Sequence, residues 1–298
     1  MGGIRKTDVV VGIDGSETST AAALWAADEA ARRTSRLVLL YAYVLYAYGS
    51  KEPAQPGSIP YEEAVIAADQ LLADASDAVR RVHPKLPIET SIQREPAATA
   101  LLEVTGQAGL TVIASQAKHQ TVETLIGSVA TYTAEQGLGP VVVLRGDAAS
   151  IAATGPVVVG VDGSEESESA IDFAFDAARL RGVPLLALHA WDNNPVQGFR
   201  RTFHLSVDHD KADAEQLEAL STALADRIEE YSDVAVHPVV QRGHAHTVLR
   251  DYAAKRRASL LVVGATGVGN MLEQALGSTS RSLLAHADVP VAVVRHLK

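Results

Sequence analysis

The sequence predicts an α/β protein of two tandem domains, each a five-stranded parallel sheet flanked by helices. Three observations carry that prediction. The chain repeats itself, since Val9-Val10-Val11-Gly12-Ile13-Asp14-Gly15-Ser16-Glu17 returns as Val157-Val158-Val159-Gly160-Val161-Asp162-Gly163-Ser164-Glu165. Within each copy, short apolar β-branched runs alternate with stretches of helical period, the pattern of strands whose crossover helices cover both faces of a sheet. Each copy also sets Asp-Gly-Ser directly after its first run, at the end of the strand where an open parallel sheet forms its ligand crevice.

The repeat extends far past its opening. Leu39-Leu40-Tyr41-Ala42-Tyr43 falls on Ala187-Leu188-His189-Ala190-Trp191, and Gln93-Arg94 on Gln241-Arg242, at one constant offset. Gly127-Ser128 then falls on Gly277-Ser278, and Pro140-Val141-Val142-Val143 on Pro290-Val291-Ala292-Val293, at an offset larger by two, which puts a two-residue insertion near Lys255 to Ser259. A repeat of this length is a whole domain, because solenoid units run only to roughly 20–50 residues. The domains are expected at 1–147 and 154–298, joined through the small residues of Gly146 to Ala153.

In the first copy the opening strand runs from Asp8 to Ile13, and Ser16 takes the N-cap position of a helix with Glu17 in its first turn, where the dipole favours negative charge. Ala23, Ala26, Ala27 and Ala30 form that helix's apolar stripe. Further strands are expected over Leu37 to Leu40, Ile88 to Ile92, Leu110 to Ile113 and Val141 to Leu144. The second copy opens with a strand from Val157 to Val161, then Ser164 with Glu165 and Glu166, then a face of Ile171, Ala174, Phe175 and Ala178 at helical spacing. Its later strands are Leu185 to Leu188, Val234 to Val240, Leu260 to Val263 and Val289 to Val294. Tyr46 to Pro60 and Asp192 to Val207, rich in Gly, Pro, Asn and Ser, read as mobile loops beside the site.

Composition narrows the function. With 298 residues, 47% of them hydrophobic and 21% charged, each half can bury a core of its own. The absence of cysteine excludes a disulfide scaffold and a thiol nucleophile. The N-terminus carries no apolar signal core and no run approaches the roughly 18 apolar residues of a membrane span, so a cytoplasmic protein with no membrane partner is expected. A net charge of −10 argues against nucleic acid as the main partner.

The chemistry concentrates in the second copy. Gly264-Ala265-Thr266-Gly267-Val268-Gly269-Asn270 follows the fourth strand, and Gly277-Ser278-Thr279-Ser280 comes shortly after. Glycines let backbone amides approach an anion, and hydroxyls at a helix start add donors aligned with the dipole, which is phosphate chemistry. The spacing is neither a Walker A loop nor the dinucleotide fingerprint. His244-Ala245-His246 alternates two imidazoles, but with no cysteine and no nearby carboxylate cluster no metal site is assigned there. Asp14 and Asp162 are candidates for closing their own turns through Asx bonds, a common use of Asp before Gly. Tyr41, Tyr43, Tyr46 and Tyr48 read as strand and rim packing.

Gly264-x2-Gly267-x9-Gly277-Ser278, together with Asp162 after the first strand, resembles the ATP-binding signature of universal stress proteins, and the resemblance covers both halves. It implies two Rossmann-like (adenine nucleotide alpha hydrolase-like) domains, ATP bound with Mg²⁺, intramolecular pairing of the two domains through their closing strands, and room for a homodimer. It also implies roles by position. Val161 and Asp162 would meet the adenosine, and the Ala190 backbone the adenine edge. Gly264, Gly267 and Gly269 would follow the ribose and phosphates, with Gly277, Ser278, Thr279 and Ser280 holding the phosphate tail.

The corresponding positions of the first copy are Ile13, Asp14, Ala42, Gly127 and Ser128, but Ala114 and Ala117 replace two glycines, and Val129-Ala130-Thr131 replaces Thr279-Ser280-Arg281. If either glycine position needs a positive φ, alanine there costs roughly 1–2 kcal/mol. Lys118 and His119 read as solvated loop residues. A competent second site and a weakened or altered first one are expected. The function implied is a nucleotide-dependent regulator in the stress response with little or no turnover. The alternatives are a slow ATPase or phosphoryl- or adenylyl-transfer enzyme on the same scaffold, and a dimerisation scaffold with vestigial sites. No catalytic residue is assigned, because no lysine stands beside the intact loop to stabilise a transferring phosphoryl group.

Overall fold

The computed structural model describes residues 3–44, 59–115, 127–146, 154–191, 209–267 and 276–296, and the chain divides into two compact units between Ile151 and Ala152. The first unit runs β1 (Val9–Gly12), α1 (Glu17–Arg32), β2 (Leu37–Ala42), α2 (Ile59–Val82), β3 (Ile88–Gln93), α3 (Ala97–Thr105), β4 (Leu110–Ser115), α4 (Ser128–Gln136) and β5 (Val141–Arg145). The second runs β6 (Val157–Gly160), α5 (Glu165–Arg181), β7 (Leu185–Trp191), α6 (His209–Glu230), β8 (Val236–Arg242), α7 (Ala245–Lys255), β9 (Leu260–Gly264), α8 (Ser278–His286) and β10 (Val291–Val294).

Within the first unit the strand order is β3-β2-β1-β4-β5, with every neighbour parallel. The second unit has the same arrangement, β8-β7-β6-β9-β10. Order therefore reverses between β1 and β4, and between β6 and β9. Helix α1 packs beside α2, and α3 beside α4, as right-handed crossovers require when the chain first steps one way along the sheet and then the other. The expected α/β class with parallel sheets is what the chain adopts.

Local chemistry explains the elements. The Ser16 and Ser164 hydroxyls accept the amides of Ser19 and Ser167 and so cap α1 and α5. Ala23, Ala26, Ala27 and Ala30 on α1, and Ile171, Ala174, Phe175 and Ala178 on α5, are fully buried against valine-rich strands. The inserted pair of residues lengthens α7 relative to α3. Several boundaries differ from the sequence reading by a residue or more, and two of them have a local cause. Strand β8 starts at Val236, since the Val234 amide closes a turn on the Tyr231 carbonyl (2.9 Å). Helix α2 begins at Ile59, so Pro60 lies in its first turn, where a missing amide costs no helical bond. The remainder of the two anticipated loops, 46–58 and 192–207, lies outside the described residues, as does 147–153 of the expected linker.

One polar cluster belongs to the first unit alone. Asp8, 1% exposed, receives Arg36 Nη2 at 2.5 Å and Nε at 3.3 Å, and Arg36 also pairs with Glu89. This fastens the N-terminal ends of β1, β2 and β3. The second copy carries Pro156, Pro184 and His237 at those places. The first core is also less apolar, because the hydroxyls of Thr111 and Thr133 are buried without a partner where the second copy has Leu261 and Leu283.

Candidate functional site

At the reversal point of the second unit, past the carboxyl ends of its strands, lies a cavity of about 400 Å³, within the size range of small-ligand sites. Its lining brings together Val161, Asp162, Ala190, Gly264, Gly267 and the run from Gly277 to Ser280. Gly269, expected with them, lies outside the described residues, as do Ala117, Lys118, His119, Tyr46 and Tyr48.

The first turn of α8 supplies one end of the cavity. Its N-cap is Gly277, and the Arg281 amide is the first to find a partner inside the helix, on the Gly277 carbonyl at 3.0 Å. The amides of Ser278, Thr279 and Ser280 thus have no intrahelical acceptor, and the helix dipole leaves partial positive charge at this end. The hydroxyls differ in orientation. Ser280 is buried and donates to the Gly264 carbonyl at 2.6 Å, so its proton ties α8 to the tip of β9. Ser278 and Thr279 are the more exposed hydroxyls along this edge.

Asp162 serves two neighbours with its two oxygens. Oδ1 accepts the Ser164 amide at 3.0 Å and the Ser164 hydroxyl at 2.7 Å, the anticipated Asx turn. Oδ2 faces Gly267, where an added Cβ would fall on it. A Cβ on Gly264 would come within 2.8 Å of Glu166 Cβ and 3.1 Å of the Glu166 carbonyl carbon. These close approaches bear on the condition left open for the glycines, whether either needs a positive φ. Among the described glycines, positive φ occurs at Gly15, Gly146, Gly163, Gly182 and Gly243, not at Gly264 or Gly267. Space, rather than backbone conformation, excludes a side chain there.

The opposite end of the cavity is a strand edge. Val161 donates its amide to the Leu188 carbonyl at 3.0 Å, and β6 ends at Gly160. Ala190 is two residues beyond Leu188, so its amide and carbonyl turn the same way, into the space past the end of β6. A donor and an acceptor are thereby presented side by side above an apolar floor that includes Leu188, Leu249 and Val263.

In the first unit Ile13 and Ala42 occupy the matching strand ends, with the Ile13 amide on the Leu40 carbonyl at 2.8 Å. Asp14 builds the same turn, accepting the Ser16 amide at 2.9 Å. The elements around the start of α4 differ from those around the start of α8. Gly127 donates to the Ser115 hydroxyl at 3.1 Å, whereas Gly277 donates to the Ala265 carbonyl at 2.8 Å. Buried Ala130 offers no hydroxyl in place of Ser280, and Ser128 stands exposed at the start of α4.

Burial works to raise the Asp14 carboxyl, but the Ser16 hydroxyl and amide, with the Ser19 hydroxyl and the Asp14 amide, outweigh it and hold the group below the ordinary aspartate range. The folded unit then binds fewer protons at that carboxyl than the unfolded chain. Its contribution is complete above the unfolded value of about 3.9 and disappears as pH falls through the lower folded value. A carboxyl NMR titration should give a midpoint for Asp14 below that of an unfolded reference peptide. In Asp14→Asn, acid unfolding of the first unit should lose the matching part of its pH dependence.

Several lining residues carried no sequence signal. Ala245 and Leu249 reach the cavity because α7 starts beside the end of β8, a matter of topology. Thr266 was readable from its place between the two glycines. His244 and His246 lie at the start of α7 with rings parallel to within 8° and centroids 6.2 Å apart, and the described residues contain no group of three or more potential metal ligands. Among the described residues no helix is long and apolar enough to cross a membrane.

The universal stress protein family model matches residues 7–145 and again 154–295. A universal stress protein of Mycolicibacterium smegmatis is 33% identical over 294 residues, 96% of each chain. One from Mycobacterium tuberculosis H37Rv is 33% identical over 299 residues, 98% of each chain. The crystal structure of a universal stress protein from Archaeoglobus fulgidus shares the fold at a TM-score of 0.70 and 16% identity, covering 97% of this chain and 98% of that one. Two matches to the family model within one chain, on the two halves that the internal repeat defines, show that this chain belongs to the universal stress protein family as a tandem, two-domain member.

Proposed function

We propose that the second unit binds an adenine nucleotide, ATP with Mg²⁺, and that the chain acts as a nucleotide-dependent regulator in the stress response with little or no turnover. The observation that carries this reading is the cavity of about 400 Å³, with three helix-start amides at one end and an open strand edge at the other. The pieces fit an adenine nucleotide in order. The Ala190 amide and carbonyl match the acceptor and donor of an adenine edge, and the Asp162 carboxylate suits ribose hydroxyls. The amides of Ser278 to Ser280 suit phosphate oxygens. Among the described residues Asp162 is the one charged residue in the lining, so the charge of a triphosphate calls for an accompanying divalent cation. Among the described lining residues no side chain is placed to transfer a phosphoryl group, which favours a ligand that is held over one that is consumed.

The test is to denature freshly purified protein, quantify released nucleotide per chain, and repeat after incubation with excess ATP and Mg²⁺. One equivalent is expected, from the second unit. Two would mean that Ala114, Ala117 and Ala130 are tolerated in the first, and none after incubation would overturn the reading. Sustained release of ADP over many turnovers would point instead to an enzyme on this scaffold.

A further inference from the structure

The end of β6 is held by a side chain as well as by its sheet bonds. His189, in β7, places Nδ1 2.7 Å from the carbonyl oxygen of Val161. A carbonyl only accepts, so Nδ1 carries the proton. The Val161 amide is already committed to the Leu188 carbonyl at 3.0 Å. Residue 161 is therefore gripped through both its backbone groups by consecutive residues of one neighbouring strand. That carbonyl belongs to the peptide unit leading into Asp162, whose amide donates to the Ser167 hydroxyl at 3.2 Å.

We infer that His189 is a positioning residue for the cavity: by holding the Val161 carbonyl it fixes the peptide plane that aims the Asp162 carboxylate. The inference rests on the reading of the cavity as a nucleotide site, and it adds a residue outside the family signature. It also adds a further difference between the two copies. Tyr41 stands at the matching place in the first unit, and a phenol oxygen, at the far end of a ring, does not occupy the place of Nδ1.

Three variants separate positioning from packing. His189→Leu removes the donor. His189→Asn restores one, because the asparagine amide nitrogen occupies nearly the place of Nδ1. His189→Tyr installs the first unit's own residue. The expected result is that the Leu and Tyr variants lose affinity by about tenfold, the scale of one hydrogen bond. ATP and adenosine should be affected alike, because the disturbed end is the ribose end, while the Asn variant binds as the parent does. Amide exchange at Asp162 in ligand-free protein should quicken in Leu and Tyr and stay slow in Asn.

Parent-like affinity and exchange in His189→Leu would overturn the inference. So would a loss of affinity that Asn does not rescue and that follows a fall in melting temperature of the whole unit. If the parent protein binds neither ligand, the proposed function fails, and the exchange rate at Asp162 alone decides whether His189 orients that turn.

Discussion

Gly267→Ala should lower affinity for ATP by about ten- to a hundredfold while leaving the fold intact. The new methyl would fall on Oδ2 of Asp162, so either the carboxylate swings away or the loop after β9 retreats. Forced displacement of this kind costs typically about 1–3 kcal/mol, and each 1.4 kcal/mol or so is a factor of ten in affinity. The turn itself should persist, because Oδ1 retains both bonds from Ser164. Calorimetric titration with ATP and with adenosine, beside a thermal melt of each variant, measures this. A parent-like dissociation constant would sink the explanation of why the first copy, with Ala117 at this position, is expected to bind differently.

The largest stability effect is expected at Arg36. Truncating it to alanine leaves Asp8, 1% exposed, without the guanidinium that donates to it at 2.5 and 3.3 Å. Breaking a buried pair from one side costs about 3–5 kcal/mol, far more than the pair itself contributes, because the remaining charge stays desolvated. The damage should be confined to the first unit, since Pro156, Pro184 and His237 hold the corresponding places in the second. The two tryptophans make this measurable, Trp25 lying in α1 and Trp191 in β7. In a Trp191→Phe background, urea unfolding followed by Trp25 fluorescence should shift to clearly lower midpoints for Arg36→Ala. In a Trp25→Phe background, the Trp191 transition should hold its place. A Trp25 midpoint that does not move would mean that Asp8 is hydrated rather than buried.

The fold was legible because its signals are local. Three valines, a glycine and a capping serine announce strand, turn and helix within nine residues, and the duplication announces them twice. Much of the cavity was legible too, since the glycine spacing, the hydroxyl run and Asp162 all sit near one end of the sheet once the strand order is known. What could not be read depends on distance along the chain or on direction in space. Arg36 and Glu89 are partners only because β2 lies beside β3, and His189 reaches Val161 only because β7 lies beside β6. The Ser280 hydroxyl looked like one more phosphate donor, yet its proton goes to a backbone carbonyl. Whether the glycines are needed for a positive φ could not be decided from the sequence, and they are not. Their sequence is the same whether φ or crowding excludes the side chain, and only coordinates separate the two.

The bond from Ser280 to the Gly264 carbonyl has a consequence for rates and entropy. It joins the start of a helix to the tip of a strand, so these two walls of the cavity hold their spacing before any ligand arrives. The disorder such a site would otherwise surrender on association has already been surrendered when the chain folded. Capture should then proceed in one step near the encounter rate, with differences among ligands expressed in how slowly each departs. Ala130 leaves the first unit without that fastening, and a ligand there would have to organise its own walls, with slower arrival and a larger unfavourable entropy.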